Sequence, residues 1–211
     1  MSDKMQTVQD VKQVADEDTF DCFRHINELL HSGQINDSTM FKSIKEEMGS
    51  IQKLVIAAIQ TIQKNGRLIY LTPRASERIH ITDLNGPLRL QNYIVGKKYC
   101  PKSGGNELLA RMDLNELQVG PRDMVICFAA EAPSYTESSL RYARKSGAMT
   151  ASILIGQEPE EKMPANINIK LDLDQHSIAF GRVWLQSLFI RLVSQAASTY
   201  ILEYELKEIS F

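Results

Sequence analysis

Thr72, Arg74, Ser76 and Arg78 lie close together in the stretch GRLIYLTPRASER, residues 66–78, directly after an apolar run. A phosphate is held where inward-pointing N–H groups, hydroxyls and a helix N-terminus converge. A guanidinium adds two parallel bonds to it. This turn has the hydroxyls and the guanidinium groups but no glycine between Arg67 and Arg78. Pro73 removes a backbone donor, and Ala75 and Glu77 carry a Cβ where glycine would let the backbone approach a ligand. Glu77 can instead pair with Arg74 or Arg78 at the surface, an interaction of small energy. A second polar turn, AEAPSYTESS at 130–139, offers Ser134, Tyr135, Thr136, Ser138 and Ser139 at a helix start. Ser134 or Thr136 could equally be a plain N-cap, and Glu131 and Glu137 add negative charge that opposes an anion.

Other chemistry is sparse. His25, His31, His80 and His176 lack metal-ligand spacing, and the cysteines Cys22, Cys100 and Cys127 form no C-x-x-C pair. No metal and no cofactor is therefore expected. Cys127 falls inside an apolar run and reads as a small core residue. No nucleophile elbow, zinc-protease motif or Walker sequence is present.

The elements that must carry these turns follow from periodicity. Phe20, Phe23, Ile26, Leu29 and Leu30 line one helical face. After SGQINDS, where Asp37 or Ser38 can cap, the apolar stripe runs continuously from Met40 to Ile62 and stops at Asn65-Gly66. From there the period changes. Short apolar runs at 68–72, 93–95, 124–129, 150–155 and 167–173 read as strands, and 136–146 and 180–206 as helices. This alternation predicts an α/β fold with a mostly parallel five-stranded sheet and helices on both faces, a three-layer sandwich. The predicted organisation is an N-terminal helical segment, 1–64, for cover or dimerisation, followed by an α/β unit, 65–211. Ligands in such sheets bind beyond the carboxyl ends of the strands, which selects the two polar turns.

Composition narrows the function classes. Among 211 residues 43% are hydrophobic and 24% charged, with a net charge of −2, so a core can be built and no basic nucleic-acid surface is expected. No apolar run approaches the roughly 20 residues of a membrane helix. MSDKMQTVQD contains no apolar core of a secretory signal. The expected setting is a reducing cytoplasm, with no membrane partner.

INDSTMFKSIKEEMGSIQKLVIAAIQTIQKNGRLIYL resembles the N-terminal helices and first strand of the N-acetylmuramic acid 6-phosphate etherases, which share the sugar isomerase (SIS) domain with the glucokinase regulatory proteins. DMVICFAAEAPSYTESSLRYARKSGAMTASI is similar to their second signature, and FGRVWLQSLFIRLVSQAAST is similar in position to a later family helix. The resemblance spans roughly residues 20–200; NGRLIY and LRYARKSGA match well and the ligand turns match poorly. It implies a flavodoxin-like SIS fold and a dimer. It also implies a phosphate-binding serine at Ser76. TPRASER keeps Ser76 and Arg78 of the family turn and loses its glycines. DLNGPLR keeps Asp83 but has Gly86 where the family carries a catalytic glutamate. Glu107 and Glu116 fall in the region of a second family acid without a local match. Glu131 stands where a second phosphate-binding serine would be, and Leu185-Gln186-Ser187 replaces a lysine-bearing segment.

A glycine cannot remove a proton, so no etherase activity is expected. The expected function is a non-catalytic, regulatory SIS module that binds a phosphorylated sugar through Thr72, Arg74, Ser76, Arg78, Ser134, Tyr135 and Thr136. Two alternatives stay open. One is a divergent sugar-phosphate isomerase or lyase using Glu131, Glu107, His80 or Asp83. The other is an interaction or scaffold protein that has lost its ligand. A homodimer through the N-terminal helices and the helix around Trp184 is expected, and a further protein partner is compatible with it.

Overall fold

The computed structural model describes residues 38–72, 93–96, 106–129, 133–156, 163–173 and helical positions between 185 and 199. The elements are α1 (Ser38–Glu46), α2 (Met48–Gln63), β1 (Leu68–Thr72), β2 (Tyr93–Gly96), α3 (Asn106–Glu116), β3 (Met124–Ala129), α4 (Pro133–Lys145), β4 (Met149–Ile155) and β5 (Ile167–Leu171). The described strands form one parallel sheet in the order β2-β1-β3-β4-β5.

Period-two alternation divides β1, β3 and β4 between two apolar layers, and β5 contributes to the first of them. Leu68, Tyr70, Met124, Ile126, Phe128, Ile153 and Leu171 face α1, α2 and the helical positions from Leu185 to Ala196. Ile69, Leu71, Val125, Cys127 and Leu154 face the other side, with Leu114 of α3 and Leu140 and Ala143 of α4. With both faces covered, β1 and β3 read as continuous apolar runs, as in buried parallel sheets. Tyr70 and Phe128 stack on the first face with ring centroids 6.4 Å apart.

The stripe from Met40 to Ile62, read as one continuous helix, is two helices that meet at Glu47. Hydrogen bonding nevertheless continues across the joint, from Glu47 N to Ser43 O at 3.0 Å and from Ile51 N to Glu47 O at 2.9 Å. The Ser43 hydroxyl caps the far end of the sheet by accepting from Asp172 N at 3.0 Å. The 1–30 segment, including the Phe20–Leu30 stripe, and Trp184 lie outside the described residues.

Helices α2, α3 and α4 end in the same closure. Gly66 N donates to Thr61 O at 2.9 Å, Val119 N to Leu114 O at 3.2 Å and Ala148 N to Ala143 O at 3.0 Å. The residue before each of these lies in the left-handed region: Asn65 at φ 54°, Gln118 at φ 50° and Gly147 at φ 83°. These are Schellman closures that satisfy the last carbonyls and turn the chain into the next strand. Asn65 therefore supplies the left-handed turn expected of Gly66; Gly66 is needed for a different reason, close backbone approach, taken up below. Gln118 carries a Cβ in a conformation that costs an L-residue about 1–2 kcal/mol. Gln118→Gly is expected to stabilise the fold by about 0.5–1 kcal/mol after the added freedom of the unfolded chain is subtracted. A urea midpoint that rises at unchanged slope reports this; an unchanged or lower midpoint contradicts it.

Candidate functional site

Strand order decides where a ligand can enter. From β1 the chain moves one way to β2, then crosses back over β1 to β3 and continues to β4 and β5. The order reverses between β1 and β3, so their carboxyl ends flank the topological switch point, the usual ligand crevice of open α/β sheets. Thr72 closes β1 there, paired with Gly96 of β2, and Ala129 closes β3. The two turns singled out from sequence are those that leave these ends.

Of the first turn, Thr72 is described in its backbone position. Arg74, Ser76, Arg78, His80 and Asp83 lie outside the described residues, as does Glu131 of the second turn. The rest of the second turn is explicit. Pro133 opens α4, where its missing N–H leaves no helical bond unmade and its φ suits the first turn. Ser134 is exposed at the helix start. Tyr135, Thr136 and Ser139 are buried. The Tyr135 hydroxyl is turned away from the outer surface and donates to Asp113 Oδ2 of α3 at 2.8 Å. Burial, reinforced by that bond, holds its pKa well above the usual phenol range. Ser134 is thus the exposed one among Ser134, Tyr135 and Thr136. Ser138 is half-buried.

The charge of Glu137 is met within α4. Arg141 donates to its Oε1 through Nε at 2.9 Å and Nη2 at 2.6 Å, one helical turn away. Arg144 and Lys145 occupy the last turn of α4. The positive end of the helix dipole therefore faces the switch point and the basic residues complement the negative end.

Glu107 is exposed in the first turn of α3, an acid placed favourably at a helix N-terminus. Cys127 is fully buried, and burial pushes its thiol well above the usual range, so it is no nucleophile near neutral pH. Among the described residues no group of three metal-binding side chains comes together, and no helix is long and apolar enough to cross a membrane.

Sequence reasoning missed α3 and with it Asp113. In NELLARMDLNE the buried positions Ala110 and Leu114 share their face with Asp113, while Leu108 and Met112 point outward, 63% and 55% exposed. A buried acid and exposed apolar residues blur the helical period. The available signal was the four-residue spacing from Ala110 to Leu114.

The two stretches that matched the family best do architectural work at the other end of the sheet. In NGRLIY, Arg67 Nε donates to Asp123 Oδ1 at 3.0 Å and Nη2 to Oδ2 at 2.8 Å; Nη2 also reaches Leu117 O at 2.9 Å. This ties the amino ends of β1 and β3 to the end of α3. In LRYARKSGA, Leu140 and Ala143 are core, Arg144 Nη1 donates to Pro164 O at 3.3 Å, and Gly147 makes the closing turn.

No family model matches the chain. In sequence it is 30% identical over 161 residues to an N-acetylmuramic acid 6-phosphate etherase of Bacillus cereus, a match that covers 70% of this chain and 55% of that protein. An etherase of the same name from Bacillus anthracis is 30% identical over 162 residues, with the same coverage of 70% and 55%. The chain spans about half the length, 55%, of the curated relatives it matches. In fold it is similar to the phosphoheptose isomerase of Neisseria gonorrhoeae, with a TM-score of 0.55, 10% identity and coverage of 84% of this chain and 95% of that one. A phosphoheptose isomerase of Francisella tularensis gives a TM-score of 0.52 at 10% identity, covering 83% and 97%.

Proposed function

Taking as premise that this chain resembles the N-acetylmuramic acid 6-phosphate etherases and carries the sugar isomerase (SIS) fold, we propose that it binds a phosphorylated sugar at the β1/β3 switch point without turning it over. The observation that carries this reading is the start of α4 immediately beyond β3, with Ser134 exposed and the helix dipole directed at the crevice. In this reading Ser134 and the N–H groups of the first turn meet the phosphate from one side. Thr72, Arg74, Ser76 and Arg78 meet it from the other. The Glu137 charge that would oppose an anion is countered by Arg141.

Elimination of a lactyl ether needs a positioned base. By the resemblance read from the sequence, Gly86 falls where the family carries a catalytic glutamate, which supports a binding and regulatory role rather than an enzymatic one. The setting that fits is the cytoplasm. A homodimer belongs to the same reading. The apolar side chains of α1 and α2 are buried or half-buried within the chain, whereas Leu108 and Met112, one turn apart on α3, are apolar surface that a second copy would cover. Light scattering at micromolar concentration should give twice the chain mass; a monomer contradicts the dimer.

The binding reading is tested by thermal unfolding with a panel of sugar phosphates and inorganic phosphate. A ligand at 100 times its Kd stabilises by about 2.7 kcal/mol, which for a chain of this size raises Tm by about 5–10 °C. Replacing Ser76 and Ser134 by Ala should remove the shift. No shift with any anion at millimolar concentration favours a scaffold protein. A shift with slow turnover favours an isomerase or lyase, with Glu107, Glu131, His80 and Asp83 the acids and bases to replace first.

A further inference from the structure

We propose that Asp113 and Tyr135 form a positioning pair that sets the placement of the first turn of α4 at the switch point and so tunes its hold on an anion; this rests on the binding reading above. Tyr135 is the residue after exposed Ser134, in the first turn of α4. Its ring packs against Ala110 and Leu109 of α3, and its hydroxyl reaches Asp113 Oδ2 at 2.8 Å. Asp113 is 2% exposed and Tyr135 6% exposed. A carboxylate buried between two helices is an expensive way to stabilise a seam, since apolar residues of similar volume commonly serve as well or better. What the pair adds is direction. An apolar contact lets α4 slide or roll on α3, whereas a short charge-assisted hydrogen bond fixes height and azimuth together.

The placement matters because the N–H groups of the first helical turn have no intrahelical partners. They are the groups an anion would meet. A displacement of the order of 1 Å at such a site costs roughly a hundredfold in effects that depend on geometry, so a smaller drift gives a smaller but measurable loss. Burial and the Asp113 bond also keep the phenol protonated, so the donor is present at every working pH.

The experiment uses the full chain and inorganic phosphate, with Kd measured by calorimetry beside Tm and amide hydrogen exchange. The variants are Y135F, D113N and the double variant Y135F/D113L, which exchanges the polar pair for an apolar one without stranding a buried carboxylate. The double variant is expected to melt near wild type, to bind phosphate about tenfold more weakly, and to exchange faster at residues 137–140 while residues 142–145 are unchanged. D113N, which keeps an acceptor for the phenol but loses the charge, is expected to weaken phosphate binding less than the double variant does. A double variant with wild-type Kd and wild-type exchange overturns the pair. Faster exchange at 137–140 in a protein whose wild type binds no phosphate overturns the binding reading, and the tuning role with it.

Discussion

Gly66→Ala is expected to be strongly destabilising although it adds a single methyl group. A Cβ built at Gly66 runs into the carbonyl oxygen of Arg122 and comes within 2.7 Å of that carbonyl carbon and 2.9 Å of Thr61 Cγ2. The obstacle is backbone, so no rotamer change relieves it. The two segments must separate, and they are the entries to β1 and β3, where Met124 N donates to Arg67 O at 2.8 Å. Gly66 N also closes α2 onto Thr61 O. Overpacking at a rigid site of this kind costs about 3 kcal/mol, and for a chain of this size Tm falls by about 6–12 °C. The lesion lies at the amino edge, about 20 Å along the chain direction of β1 from the carboxyl edge. Phosphate binding, measured well below the new Tm, should therefore be unchanged. A Tm within about 2 °C of wild type would show that the strand entries are looser than described.

The second large effect belongs to Asp123 and depends on pH. Burial alone raises the pKa of its carboxyl group, but the hydrogen bonds from the Arg67 side chain and Gly120 N, with the Arg67 charge, outweigh burial and leave it below the ordinary value. Its Oδ1 accepts from Arg67 N and Nε, and its Oδ2 from Arg67 Nη2 and Gly120 N. A lowered folded-state pKa means that the ionised carboxylate contributes its full stability above the unfolded value near 3.9. That contribution is lost as pH falls through the lower folded value. Asp123→Asn keeps the shape but loses the charge and part of the acceptor set. It is expected to cost about 2 kcal/mol at pH 7. The gap to wild type should stay level down to about pH 5 and close below about pH 4. Urea midpoints taken across that range check this. A gap that persists unchanged into acid would mean that the loss is steric and that the ion pair contributes little.

Both positions lie in or beside the stretches that resembled the family most closely, and both are structural. Residues that close helices and knit strand entries face the same physical demands whatever the ligand is, so NGRLIY and LRYARKSGA retain a family appearance. In the proposed reading the carboxyl-edge turns answer to the ligand, and they are the stretches whose resemblance to the family is poorest in sequence.

Strand placement was legible from composition and period. The apolar runs at 68–72, 93–95, 124–129, 150–155 and 167–173 are seen as Leu68–Thr72, Tyr93–Gly96, Met124–Ala129, Met149–Ile155 and Ile167–Leu171. A strand buried on both faces has no polar alternation to confuse with anything else, and glycine, proline and polar clusters bound it. The choice of the two polar turns as the functional edge followed from α/β alternation, because parallel crossovers leave every strand–helix turn on one edge. Strand order was largely invisible from sequence: Asn168 and Lys170 suit β5 to an edge, but β1, β3 and β4 are buried throughout nearly all their length and any of them could have been central. Only the tertiary structure set β1 and β3 side by side at the reversal, so that both polar turns start from the switch point. The role of each hydroxyl was equally a tertiary matter. Ser134, Tyr135 and Thr136 are consecutive polar residues in sequence, but one helical turn spreads them through about 200° of azimuth. Once α3 is packed alongside, Ser134 is left at the surface and Tyr135 is directed into a seam whose acid, Asp113, no local pattern had placed there.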